Sequence, residues 1–247
     1  MIRLVRAELT KLATTRLIYG VAAVMAAFAA LTVAANILDR QGAPPLSADS
    51  FPMLVGGPVT LLSGAALLVG ILGMTTEFRH QTVTQTFLIT PDRGRVVAAK
   101  LVAYPLAGIA LALGIVAFTA AVATGWLAAK GITPSLLDAR LGRVLLGAVL
   151  AAGLCALVGV GVAALVRNPV AALVGVAVWV LVVEGLLMSL LNIPSSLAKW
   201  LPSAAAAALT NPGGAQLSRL AGTLVLAGYA LALALAGTRL VVRRDIN

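Results

Sequence analysis

Histidine and cysteine each occur once in the 247 residues, as His80 and Cys155. A single cysteine excludes a disulfide framework, and its place in an apolar run predicts a buried, inert thiol. A single histidine excludes a histidine-based metal cluster and leaves any serine at membrane depth without a base. Lysine is scarce, with Lys11, Lys100, Lys130 and Lys199 making up the whole set. None follows a glycine, so there is no G-x-x-x-x-G-K-[ST] loop to cradle a nucleotide phosphate. Aromatic residues are 4% of the chain, and Asp and Glu number 8 against 18 Lys and Arg. No internal repeat and no compositional shift marks a domain boundary, so residues 1–247 read as one domain.

What is abundant is Ala, Leu, Val and Gly. The chain is 61% hydrophobic and 11% charged, with mean hydropathy +1.04. A soluble domain of this length cannot hide so much apolar surface, whereas lipid can, so the class is an all-α polytopic membrane protein. Six apolar runs fit transmembrane helices: 17–38, 53–76, 96–127, 141–166, 170–191 and 220–242. Each covers about 30 Å of hydrocarbon as a helix. The net charge of +10 and pI near 11.1 would point to nucleic acid in a soluble protein. Here topology accounts for the charge, and no nucleic-acid partner is expected. With both termini inside, twelve of the 18 Lys and Arg fall in inner segments and six in outer ones. That bias predicts cytoplasmic termini.

Residues 2–16 form a basic amphipathic helix with Ile2, Val5, Leu9, Leu12 and Ala13 on one face and Leu4 as the misfit; such a helix should lie in the headgroup plane. The apolar run after it is too long for a signal-peptide core, and the N-terminus reads as retained. Thr133-Pro134 is a cap and first residue for the fourth span, and Asn168-Pro169 starts the fifth after a tight turn. The stretch 192–219 is too apolar for a solvated loop and too broken by proline to span. Re-entrant or interfacial short helices fit it, with Lys199 and Trp200 at the interface.

The only substantial polar stretch in the interior is EFRHQTVTQTFLITPDRGRVVAAK, residues 77–100, between the second and third spans. Glu77, Phe78, Arg79 and His80 leave the membrane. Thr82, Thr84 and Thr86 follow, then an apolar tip at Phe87, Leu88 and Ile89. Thr90-Pro91-Asp92 reads as a helix start, with a hydroxyl cap, proline at the first helical position and an acid in the first turn. Arg93, Arg95 and Lys100 would anchor the new helix at the headgroups. A short rigid element between two long helices is a lever: a partner docked on Phe87 and Leu88 would move both spans together. The plain alternative is an amphipathic loop with topogenic charges.

Together with MIRLVRAELTKLATTR at the start, a broken outer segment before the sixth span and a basic tail, this stretch resembles the permease subunits of ABC-2 type exporters, over essentially the whole chain. The resemblance implies a connecting helix at 1–16, a coupling helix within the 77–91 hairpin and a re-entrant outer segment at 192–215. It implies that Glu77, Phe78, Arg79, His80, Thr82, Thr86, Phe87, Leu88 and Pro91 form the contact with an ATPase, and that Pro91, Arg93 and Lys100 set the restart of the third helix. Apart from the resemblance, opposite charge suggests that Glu77 could pair with Arg3, Arg6 or Lys11. The chain would do no chemistry itself. ATP and magnesium would sit on a separate ABC ATPase, present in two copies, and a second permease chain, identical or paralogous, would complete the path. The location would be a bacterial plasma membrane and the cargo hydrophobic or amphipathic. Two other classes stay open: a non-transporting membrane anchor or scaffold for a cytoplasmic partner, and an ion-coupled carrier.

The carrier reading rests on Glu184, in the outer half of the fifth span. An ionised carboxylate near the membrane centre costs about 2.5–3.5 kcal/mol on insertion scales. An α-helical face places Val180, Leu181, Leu187 and Met188 around it, so it must pair across helices, face water or stay protonated. It is a candidate for a substrate path or a dimer seam. Gly153, Gly159 and Gly161 in the fourth span read as helix-packing positions.

Overall fold

The structure is a computed structural model that describes residues 1–38, 46–79, 92–135, 138–189, 194–210 and 217–243, with the backbone alone at 60, 77–79, 93, 188–189, 195 and 241–243. All regular structure among these residues is helical. Six stretches are long and apolar enough to cross a membrane: 16–38, 48–76, 94–129, 139–166, 169–187 and 219–240. The chain is a multi-pass membrane protein with the spans the hydropathy pattern predicts, to within a few residues.

Helix α1 (Ile2–Thr14) ends at Thr15, which is extended at φ −85° and ψ 128°. Helix α2 (Arg16–Leu38) is the first span and buries only Met25, Ala29, Val33 and Ile37, one side chain every four residues. The second span is a 3-10 turn (Ala48–Ser50), a short α3 (Phe51–Gly56) and the long α4 (Val59–Arg79). The interruption falls at Gly57-Pro58, where proline has no N–H to continue the ladder.

Helix α5 (Arg93–Ala129) is the third span. Its cap is Asp92, whose Oδ1 accepts the Arg95 N–H at 3.1 Å. The expected acid of the first turn is therefore the cap itself, because a carboxylate one residue from the first free N–H groups is a strong acceptor for them. Thr90 and Pro91 lie outside the described residues. At the other end Gly131 takes φ +73°, and the Gly131 and Ile132 N–H groups return to Ala128 and Leu127. This left-handed closure is one glycine supplies at little cost.

Helix α6 (Ala139–Val166) is the fourth span. The expected cap at Thr133-Pro134 is not used. Those residues are irregular, and Asp138 caps the helix by accepting the Arg140 N–H at 2.8 Å. The fifth span starts as expected: Asn168 Oδ1 accepts the Ala171 N–H at 3.1 Å and Pro169 is the first helical residue. It runs as α7 (Pro169–Ala177), a π-helical turn (Val178–Val183) and α8 (Glu184–Ser189). Two short helices follow, α9 (Ser195–Ala198) and α10 (Pro202–Thr210), and then α11 (Arg219–Arg243), the sixth span.

The centre of the bundle is α6, with α4, α5 and α11 packed around it. Small residues set the spacing. A Cβ on Gly159 would enter the carbonyl of Leu67, and one on Gly70 would enter that of Ala156. Against α11, a Cβ on Gly161 would stand 2.7 Å from that of Leu233. The predicted packing role of Gly159 and Gly161 is thus observed. Gly153 is less constrained, with Ile109 side-chain atoms 3.3 Å from its Cβ position. In a membrane, where lipid is as apolar as leucine, such contact is a main source of helix association. Cys155 is a free, buried thiol in this core. The fifth span is the least enclosed: 11% of its most apolar window is buried, against 59% for the second span and 56% for the fourth.

Candidate functional site

Among the described residues two carboxylates are buried, Glu8 at 4% exposure and Glu184 at 2%. Each sits where two parts of the chain meet, and each is held differently.

Glu8 belongs to α1. The face of α1 turned to the bundle runs through Leu4, Val5, Glu8, Leu9 and Leu12, while Ile2 and Ala13 are exposed. Leu4 therefore belongs to the packed face and Ile2 does not, because the helix is rotated to bring its one acid against α5. There Glu8 Oε2 accepts a hydrogen bond from Lys100 Nζ at 2.5 Å, and Oε1 accepts one from Lys11 Nζ at 2.9 Å. Lys100 is 2% exposed. It is a buried partner rather than a headgroup anchor, since the α1 docking surface covers it. Burial pushes the Glu8 carboxyl up, but the Lys100 charge and hydrogen bond, joined by Lys11, outweigh it and hold the group below the usual carboxylate value.

The contact continues into α4. Lys100 Nζ lies 5.6 Å from the centroid of the Tyr104 ring, one helical turn on, within cation–π range. Tyr104 is buried, and its ring occupies the space a Cβ on Gly73 of α4 would need. Glu8, Lys100, Tyr104 and Gly73 thus connect α1, α5 and α4, close to where α4 ends and α5 begins.

Glu184 opens α8, directly after the π-helical turn. Winding with i→i+5 hydrogen bonds brings residues five apart over one another. So Trp179, which an α-helical face would turn away, donates its indole N–H to Glu184 Oε1 at 2.9 Å. The Ser203 hydroxyl at the start of α10 donates to Oε2. The expectation that the fifth span offers Glu184 no partner of its own is therefore corrected. The cross-helix partner is a serine of the two short helices that precede the sixth span. Among the described residues Glu184 makes no ion pair. Helix α10 packs on α6 and α11: a Cβ on Gly147 would meet the Leu209 carbonyl, and one on Gly222 would stand 2.7 Å from that of Ala208. Lys199 Nζ lies 5.7 Å over the Trp200 ring, and the Tyr229 hydroxyl donates to the Trp200 carbonyl at 3.2 Å.

Of the residues expected to contact an ATPase, His80, Thr82, Thr86, Phe87, Leu88 and Pro91 lie outside the described residues, as do the side chains of Glu77, Phe78 and Arg79. The expected pairing of Glu77 with α1 falls there too. Arg3 and Arg6 are exposed, and Lys11 bonds Glu8. An apolar groove of about 450 Å³ between α2 and α5, lined by Ala22, Ala26, Leu111, Gly114 and Phe118 among others, offers no polar side chain to a ligand. Among the described residues no three His, Cys, Asp or Glu side chains come together as a metal site would require.

Sequence reasoning missed Glu8, Trp179 and Ser203. The signal for Glu8 was present: an acid in the middle of an apolar stripe, and a lysine within the apolar run VVAAKLVAYPLAG. Ser203 carried no signal. No protein-family model matches this chain, and no curated protein matches it.

Proposed function

We propose that this chain is the membrane-embedded permease of an ATP-driven exporter of the ABC-2 type. The observation that carries the reading is the linkage of α1 to the two helices that border residues 80–91, through Glu8, Lys100, Tyr104 and Gly73. A lever needs its base tied to more than one span, and this base is tied to α1, α4 and α5. In the proposed cycle a separate ATPase binds ATP with its magnesium, draws the 77–91 hairpins of two permeases together and opens a path between them. Phe87 and Leu88 are its contact, with Glu77, Phe78, Arg79, His80, Thr82, Thr86 and Pro91 around them. Both termini are cytoplasmic, in a bacterial plasma membrane.

The fifth span, the least enclosed of the six, is the proposed seam with a second permease chain, identical or paralogous. The outer segment 192–215 is the proposed re-entrant gate. In support, Leu209 packs on Gly147, eight residues into α6 and so roughly 12 Å along its axis. The cargo is hydrophobic or amphipathic, in keeping with the apolar spans.

The test is purification from native membranes in mild detergent, with every co-purifying chain identified. A stoichiometric soluble protein bearing a Walker A loop is the expected result. An intact complex without one would sink the reading. Phe87→Ala should then uncouple ATP hydrolysis from transport without loss of insertion. A second reading, an ion-coupled carrier, is favoured by Glu184 alone, whose donors are neutral. It predicts transport driven by a proton gradient and indifferent to ATP.

A further inference from the structure

We infer that Glu8 and Lys100 form a clamp that docks α1 onto α5, so that α1, the end of α4 and the start of α5 are one mechanical body, jointed to α2 at Thr15. The inference does not depend on the exporter reading, because it concerns only how four parts of this chain are joined.

The clamp is built from groups 92 residues apart in sequence. Lys100 is 2% exposed and Glu8 4%, so neither charge is a solvated surface group. Taking two charges out of water is costly, and an apolar pair of the same volume holds two helices as well or better. What a charge pair adds is register. Leu4, Val5, Leu9 and Leu12 would pack on α5 at several rotations or shifts of α1. Only one setting places Glu8 on Lys100, and any slip parts the two buried groups. The Tyr104 ring beside Lys100 Nζ, filling the space at Gly73, passes the same constraint to α4.

The link to α2 is of another kind. Thr15 breaks the helix with extended backbone angles. It is spanned by local bonds, from the Thr15 hydroxyl to the Lys11 carbonyl at 2.5 Å and from the Tyr19 hydroxyl to the Ala13 carbonyl at 2.7 Å. Those residues are exposed. The stiff connection of α1 is therefore to α5, and the compliant one is to α2, its neighbour in sequence. Glu8 and Lys100 are positioning residues: they set where α1 sits.

The experiment is hydrogen exchange of residues 2–14 in the full-length protein in lipid nanodiscs, for the wild type, Glu8→Gln, Lys100→Met and the exchanged pair Glu8→Lys/Lys100→Glu. Glu8→Gln should speed exchange across α1 by on the order of 100-fold, as expected when one charge of a buried ion pair is removed. Lys100→Met should do less, because Lys11 still bonds Glu8. The exchanged pair should bring protection back to within about tenfold of wild type, a rescue that packing alone does not give. Spin labels at Thr10→Cys and Arg95→Cys, in a Cys155→Ala background, should give a narrow distance distribution that broadens in Glu8→Gln and narrows again in the exchanged pair. Unchanged exchange in Glu8→Gln, or an exchanged pair no better than the single variants, would overturn the clamp. Should a single variant fail to fold, inserted yield across the same four proteins decides, with recovery in the exchanged pair supporting the clamp and none refuting it.

Discussion

Glu8 and Glu184 are buried to nearly the same degree, 4% and 2% exposed, yet they are satisfied by different chemistry. Glu8 meets two ammonium groups. Glu184 meets an indole N–H and a hydroxyl. A carboxylate matched by charge is a fixed tie, because parting the pair gives up an attraction between charges that is strong in low dielectric. A carboxylate held by neutral donors has no second charge tied to it, so losing one donor removes a hydrogen bond and parts no ion pair. The Glu8 contact is therefore a tie between charges, and the Glu184 contact is a pair of hydrogen bonds from neutral donors.

The largest test of that contrast is Glu8→Gln, which should cost about 3–5 kcal/mol of stability by removing one charge of a buried ion pair. Reversible unfolding in mixed micelles measures it. Glu184→Gln should cost well under half as much, since an amide oxygen still accepts one of the two donors, and equal costs would break the contrast. Acid gives the same answer without mutation. The folded-state carboxyl of Glu8 lies below its ordinary value of 4.5, so its contribution is fully present above about pH 4.5 and is lost as pH falls through the lowered value. Exchange of residues 2–14 should be flat from pH 8 to pH 5, after correction for intrinsic rates, and should rise only in stronger acid. Ser203→Ala leaves one buried carboxylate oxygen without its donor and should cost about 1.5–3 kcal/mol. Its mark should be faster proteolysis near α10, with α1 unaffected. Trp179→Phe removes the donor of the other oxygen and belongs in the same range, about 1.5–3 kcal/mol, read as a fall in melting temperature.

Much of the fold was legible because lipid makes a simple demand. Continuous apolar runs have one solution in a bilayer, a helix with its backbone bonds closed on itself, so the spans fell within a few residues of expectation. Local competition was harder to read. Asp92 took the cap of α5, and Asp138 rather than Thr133 took that of α6, because neighbouring oxygen-bearing side chains differ only in how well they reach the first free N–H groups. The partners of Glu184 were illegible for a geometric reason. A face drawn with 3.6 residues per turn turns Trp179 away from it, and six residues of π-helix bring the two together.

Composition and pattern decide that this chain crosses a membrane six times and keeps one polar stretch between its second and third spans, since burial of apolar surface and the bias of Lys and Arg are properties of the chain read in order. That Glu8 finds Lys100, that Tyr104 fills the space at Gly73, and that Ser203 reaches Glu184 are decided only in three dimensions. Each joins residues with no local relation, and the cost of a buried charge or a collision selects one packing among many that would bury the apolar faces equally well.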